Sequence, residues 1–184
     1  MKYFAYGSNC SPAILEKKRV AFTSARPAVL AGYRLRFNKM ALRDGLPSGL
    51  GYANINEDCG GKVEGVLYEI VDQHLDRLDQ SERYPDHYGR IDVTVQSGLH
   101  AVRCISYQAR HDKIADGLRP PREYLNHVLE ARDFVSWQYF ETLRRSEAFE
   151  DACGCCGTMC EVHFVQEADR VHMLCRACTE TRQR

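Results

Sequence analysis

Lys2-Tyr3-Phe4-Ala5-Tyr6-Gly7-Ser8-Asn9-Cys10-Ser11-Pro12-Ala13-Ile14-Leu15 runs an aromatic apolar segment into a polar turn and then a helix start. Residues 2–6 have the length and side chains of a buried strand, and Gly7 supplies backbone without a Cβ where something must approach closely. Ser11 followed by Pro12 reads as an N-cap and first helical residue: proline gives up only an amide the helix could not have bonded, and the serine accepts from the next free amides. The remaining N–H groups, backed by the helix dipole, could hold a carboxylate, a phosphate or a developing oxyanion. The same pattern also suits a capped corner that binds nothing.

Outward from this stretch, 184 residues suffice for one ordinary domain, or one domain with a small appendage. Lys+Arg and Asp+Glu both number 25, so no net charge draws the chain to nucleic acid or to a membrane surface. No apolar run is long enough for a bilayer span and no signal-like segment opens the sequence, which sets a cytoplasmic expectation. Of the nine cysteines, Cys10, Cys59 and Cys104 are scattered and six fall between Cys153 and Cys178. That clustering favours thiolates on a metal over a disulfide scaffold.

Alternation from Tyr33 to Phe37 predicts a half-buried strand. Further strands are predicted over Tyr52–Ile55, Lys62–Ile70, Arg90–Val95 and Ala101–Tyr107, with a glycine-bearing loop from Leu42 to Gly51 and a bulge or close packing point at Gly65. Asp72 can cap a helix reaching about Ser81. After Arg119-Pro120-Pro121-Arg122, a helical region is expected from Glu123 to about Glu147, with Trp137, Phe140 and Leu143 packing back on the sheet and residues 148–152 as a linker. Five or six strands with few helices between them suggest a compact, curled sheet.

Leu75, Leu78 and Glu82 are spaced three and four apart, so one more helical turn carries a carboxylate on the face that buries the leucines. Such an acid is a partnered structural group, the last residue of a fraying helix, or a proton carrier in a pocket. Asp79 is the nearest rival, one position on from Leu78 and so turned partly away.

Tyr6-Gly7-Ser8-Asn9 after an N-terminal strand, Gly65-Val66-Leu67-Tyr68-Glu69 mid-chain, and Leu78-Asp79-Gln80-Ser81-Glu82 followed by Tyr88 together resemble the γ-glutamylcyclotransferase-like (AIG2/BtrG-like) family over about residues 1–147. The resemblance implies an α+β fold, a small mixed β-barrel flanked by helices. It also implies an enzyme that cyclises a γ-glutamyl group to 5-oxoproline and releases the attached amine or amino acid, with no cofactor required for catalysis. Glu82 matches the family's catalytic glutamate, Tyr6, Gly7, Ser8, Asn9, Cys10 and Ser11 its substrate-binding loop, and Tyr124 a late tyrosine that contacts substrate. Two positions depart: Cys10 stands where leucine or methionine is usual, and Arg83 where glycine commonly follows the glutamate. The chemistry suits these residues, because a γ-glutamyl compound carries its own nucleophile and needs chiefly to be held curled. Cys10 as nucleophile is the competing mechanism, and no histidine at a motif position would activate it.

The tail carries a separate signal. Cys153-Gly154-Cys155-Cys156-Gly157 and Cys175-Arg176-Ala177-Cys178 hold two C-x-x-C pairs with the spacing of a four-cysteine zinc ribbon, ligated by Cys153, Cys156, Cys175 and Cys178. Cys155, Cys160, His163 and His172 are the alternative ligands. Val162–Val165 and Val171–Leu174 read as a hairpin joined by Gln166–Arg170. A closed four-thiolate site is structural. With four arginines, no lysine and six acids in residues 148–184, the charge suits a folding staple or a protein contact rather than nucleic acid. The expected organisation is therefore a cyclotransferase-like domain over 1–147 and a zinc-ribbon-like tail over 148–184. The alternative is a non-catalytic protein of the same fold, acting as an adaptor through its ribbon.

Overall fold

A computed structural model describes residues 1–42, 46–167 and 170–182. The chain begins with β1 (Lys2–Ala5), a 3-10 turn over Ser8–Cys10 and α1 (Pro12–Lys17). Two long strands follow, β2 (Phe22–Met40) and β3 (Gly51–Ile70), then α2 (Leu75–Glu82) and the hairpin of β4 (Tyr88–Ser97) and β5 (His100–Ala109). Helices α3 (Arg122–Leu129) and α4 (Trp137–Arg144) flank the sheet. The tail contributes β6 (Glu150–Ala152), β7 (Met159–Glu161), β8 (His163–Glu167), β9 (Arg170–Leu174) and α5 (Arg176–Arg182).

The first five strands close into a barrel in the order β1-β3-β2-β4-β5. All its pairings are antiparallel except the closure, where β1 runs parallel to β5 with Tyr3 opposite Ile105. The expected small mixed β-barrel with flanking helices is thus the architecture observed.

β1 shows why the opening stretch reads as an unbroken apolar run. Successive side chains of a strand alternate faces. Phe4, and Tyr6 just beyond the strand, join a buried cluster with Ala28, Leu30, Ile55, Val63, Leu67, Val93 and Cys104, which draws on all five barrel strands. Tyr3 and Ala5 face the other way, into a cluster with Leu15 of α1, Leu78 of α2 and Ala131. Gly65 is the close packing point anticipated: a Cβ there would stand 2.2 Å from the Ala5 carbonyl oxygen.

Several boundaries differ from expectation. The separate strands at 33–37, 52–55 and 62–70 belong to two strands of 19 and 20 residues, paired from Phe22–Ile70 to Met40–Gly51 with three register shifts. The polar segment Asn56-Glu57-Asp58-Cys59-Gly60-Gly61 looks like a loop, but Asn56 and Glu57 pair with Arg34 and Tyr33, and after the register shift that leaves 58–61 without ladder partners the pairing resumes at Lys62 opposite Ala31. The expected loop 42–51 lies partly outside the described residues, and so does the join of the tail hairpin. Asp72 does not cap α2; it pairs with the amino terminus, and a 3-10 turn over Asp72–His74 leads into the helix. The single helical region after Glu123 is broken by a 3-10 turn over Glu130–Phe134. On α4 only Leu143 is buried, whereas Trp137 is 66% exposed and stacks on Phe140. The expected linker contains β6 and the buried Ala148. No helix among the described residues is long and apolar enough to cross a membrane.

Candidate active site and metal centre

Glu82 is the last residue of α2, and its side chain is 15% exposed. The leucine-face argument holds, since Leu78 one turn earlier is fully buried and carries the helix end onto the barrel mouth. Three donors converge on one oxygen of the carboxylate: Asn9 Nδ2 at 2.9 Å, Lys18 Nζ at 3.0 Å and Ser81 Oγ at 3.3 Å, all to Oε1. None of the hydrogen bonds among the described residues ends on Oε2. Lys18 also donates to Asn9 Oδ1 at 2.6 Å, and Asn9 Nδ2 to the Tyr3 hydroxyl at 2.8 Å, so the acid, the amide and the cation hold one another in place.

Around the carboxylate stands a wall of tyrosines. Tyr3, Tyr6, Tyr88, Tyr107 and Tyr124 line a small cavity of about 30 Å³ with Gly7, Ser8, Asn9, Ala53 and Glu82. Burial raises the pKa of each phenol, so near neutral pH all keep their protons. Tyr6 donates to the Tyr107 carbonyl at 2.5 Å, Tyr88 to the Ala53 carbonyl at 2.8 Å, and Tyr107 to Asp79 at 2.6 Å. The Tyr124 hydroxyl accepts from the Ala53 amide at 3.2 Å. Gly7 permits this approach, since a Cβ there would stand 2.9 Å from the Tyr124 oxygen. Asp79 is tied to Tyr107 and lies 3.5 Å from Arg90, which makes it a structural acid.

The structure therefore brings Tyr6, Gly7, Ser8, Asn9, Tyr124 and Glu82 together and leaves two of the expected loop residues behind them. Cys10 is buried with its thiol donating to the Ala5 carbonyl at 3.2 Å, and burial pushes its pKa up to about 12. It faces the core, not the cavity, which removes the chemistry a thiolate beside the substrate would supply. Ser11 is fully buried; it caps α1 by accepting from the Ile14 amide and donates to Glu130. The helix start imagined as an anion cradle is thus capped by Ser11, and the 3-10 turn before it presents Ser8 and Asn9 to the cavity.

The small cavity opens into a cleft of about 380 Å³ that shares Ser8, Glu82, Tyr88 and Tyr124 with it. Its outer walls are Lys39, Leu42, Tyr52, Arg83 and His87, together with Phe164 and Val171 of the tail hairpin. The hairpin is held there through α3, where Arg122 makes a two-pronged pair with Glu161 at 2.6 and 2.8 Å and Glu123 meets His163. Lys18, Lys39, Tyr3 and Tyr107 carry no motif signal, whereas Tyr88 follows the acidic motif. Tyr3 and Tyr107 could have been suspected only as aromatic positions near strand ends.

In the tail, the ligand atoms of Cys153, Cys156, Cys175 and Cys178 all lie within 4.8 Å of one another. The Cys156 and Cys175 sulfurs are 3.8 Å apart, the separation that Zn–S bonds of about 2.3 Å impose in a tetrahedron and far beyond a disulfide. The Cys175 amide donates to Cys153 Sγ at 3.1 Å and the Cys178 amide to Cys175 Sγ at 3.4 Å. Backbone amides of Cys156 and Cys175 hold the Cys153 thiol down at about 6. His163 and Cys160 point elsewhere, to Glu123 and to the Thr158 carbonyl. The donor set and spacing fit zinc.

The small mixed β-barrel with flanking helices is the fold of solved gamma-glutamyl cyclotransferases. The model of the gamma-glutamyl cyclotransferase, AIG2-like family matches residues 3–126, and the chain belongs to that family. A protein of Halalkalibacterium halodurans named "Putative gamma-glutamylcyclotransferase" is 51% identical over 96 residues, covering 49% of this chain and 76% of its own. Among solved structures, a gamma-glutamyl cyclotransferase superposes with a TM-score of 0.69 at 24% identity, over 81% of this chain and 89% of that one. YkqA from Bacillus subtilis superposes at 0.69 with 29% identity, over 79% of this chain and 53% of its own. The protein is an enzyme of the gamma-glutamylcyclotransferase type.

Proposed function

We propose that the enzyme converts a γ-glutamyl amide to 5-oxoproline, releasing the attached amine or amino acid, with Glu82 as the proton carrier. The α-amine of the γ-glutamyl group attacks its own γ-carbonyl. A new C–N bond closes the five-membered ring, and the bond to the departing nitrogen breaks. The α-ammonium must lose a proton for the attack, and the departing nitrogen must gain one. The observation that carries this reading is the asymmetric binding of Glu82: Asn9, Lys18 and Ser81 fix Oε1, leaving Oε2 to receive the first proton and deliver it to the leaving nitrogen.

Ser8 and Asn9 of the turn, Tyr6 and Tyr124 would hold the curled substrate, and the cost of orienting it would be met by binding rather than at the transition state. Cys10 and Ser11 act indirectly, by fixing the turn from behind. The reaction draws on no redox or Lewis-acid step, so its chemistry asks nothing of a cofactor. Residues 1–147 would form the catalytic domain, acting in the cytoplasm. Residues 148–184 would form a zinc-ribbon-like unit whose metal, held by Cys153, Cys156, Cys175 and Cys178, supplies folding energy. Assay of 5-oxoproline and amine release from a panel of γ-glutamyl compounds tests the reading. Absence of 5-oxoproline from every compound would leave the adaptor alternative in its place.

A further inference from the structure

Among the described residues, the charges lining the cleft do not balance. Glu82 is the one acid on its wall among the described residues, and Lys18 already pairs with it at 3.0 Å. Lys39 and Arg83 line the same cleft, and neither has a carboxylate within ion-pair distance among the described residues. Lys39 is 5% exposed, lies over the rings of Tyr52 and Tyr88 at 5.9 and 5.7 Å, and has its Nζ 3.0 Å from His87 Nδ1. Burial, with Lys39, Arg83 and Lys113 nearby, keeps the His87 imidazole below its ordinary range, so it is a neutral acceptor for the ammonium and not a countercharge. An ammonium in such a place is costly without an anion. Burial has accordingly lowered the Lys39 pKa to about 8.

Glu82 stands where the tyrosine-lined cavity meets the outer cleft. On the cyclotransferase reading, on which this step rests, the departing nitrogen lies at Glu82 and whatever it carries extends into the outer cleft. We infer that Lys39, aided by Arg83 and His87, forms a carboxylate-binding subsite for the departing group. The preferred substrates are then γ-glutamyl amino acids or peptides with a free carboxylate near the scissile nitrogen, not γ-glutamyl derivatives of simple amines. The apolar Phe164 and Val171 across the cleft would face the side chain of that amino acid.

γ-Glutamyl-alanine and γ-glutamyl-ethylamine differ only by that carboxylate. Their kcat/KM ratio in the native enzyme should be about ten or more, the worth of a hydrogen-bonded ion pair, and should fall toward one in Lys39→Gln. Isosteres of the two, with CH₂ replacing the scissile N–H, report the same preference by calorimetry without turnover. A native preference near one overturns the subsite, and needs no variant to be seen. A preference that persists undiminished in Lys39→Gln also overturns it. Selective binding of the carboxylate isostere with no 5-oxoproline from either substrate would sustain the subsite while removing the cyclotransferase reading.

Discussion

The glutamate site and the thiol cluster are built in opposite ways. Glu82 and Asn9 are 73 positions apart, and the cavity around them draws on residues from Tyr3 to Tyr124, held by a closed barrel and a chain of side-chain hydrogen bonds. The four thiols lie between Cys153 and Cys178, in turns flanking short strands and in α5, with few buried side chains around them. The first site is a product of folding; the second, on the zinc reading, is a cause of it. Covalent local spacing suffices for a metal knuckle, whereas a proton carrier must be delivered by the whole core.

The largest expected effect tests the first half of that contrast. Glu82→Gln keeps the size and most hydrogen bonds but carries no proton, so kcat should fall about 10²-fold or more while circular dichroism stays native. Asp79→Asn, outside the cavity, should cost far less turnover. Equal losses in the two variants would mean that the neighbourhood matters rather than the acid.

Metal removal tests the other half. Purified protein should contain one zinc per chain by elemental analysis, and Cys175→Ser should lose it. The barrel should stay folded because its two clusters draw on residues 3–131. Loss of the hairpin takes Phe164 and Val171 off the cleft, so KM should rise by up to about tenfold with kcat little changed. A barrel that unfolds with the metal would make the two regions one.

The pH dependence should be comparable or smaller. Lys39 binds an anion only as the ammonium, and its pKa lies at about 8, lowered by burial and by Arg83 and Lys113 against the opposing pull of Glu82. Affinity for a carboxylate-bearing substrate should therefore be full below pH 8 and decline as pH rises through it. KM for γ-glutamyl-ethylamine should lack that rise.

The smallest effect concerns Arg83, the C-cap of α2, whose φ of 51° puts a non-glycine residue in the left-handed region. Arg83→Gly should raise stability by about 1 kcal/mol in urea titration. This also gives a physical account of the glycine common after the family's glutamate.

What could be read in advance follows the same division. The four-thiol cluster is legible because C-x-x-C spacing is local. Glu82 was legible because helical periodicity placed it beside Leu78, and the loop because Tyr6 to Asn9 form a contiguous motif. Lys18 and Lys39 were not, since their partners, Glu82 and His87, are 64 and 48 positions away and a lysine after a helix or within a strand is ordinarily a solvated one. The family resemblance places Cys10 and Ser11 in the substrate-binding loop with Tyr6 to Asn9. The 3-10 turn, whose direction no sequence pattern announced, aims Asn9 at the cavity while Cys10 faces the core. The long strands are not legible because the polar run 56–61 mimics a loop, while the β2–β3 ladder holds its register up to Glu57, skips 58–61 and resumes at Lys62.

The barrel's parallel closure has a consequence for biosynthesis. β1 is made before the other barrel strands, yet its neighbours are Val66–Glu69 on one side and Ile105 on the other. At about 5–20 residues per second, the first strand waits on the order of 5–20 s for its last partner to be translated, with both backbone edges unpaired for much of that time. Tyr124 follows later still. A ribosome-bound chain that already displays Tyr6-Gly7-Ser8-Asn9 therefore has no cleft until the strand holding Ile105 and the helix holding Tyr124 have also been translated.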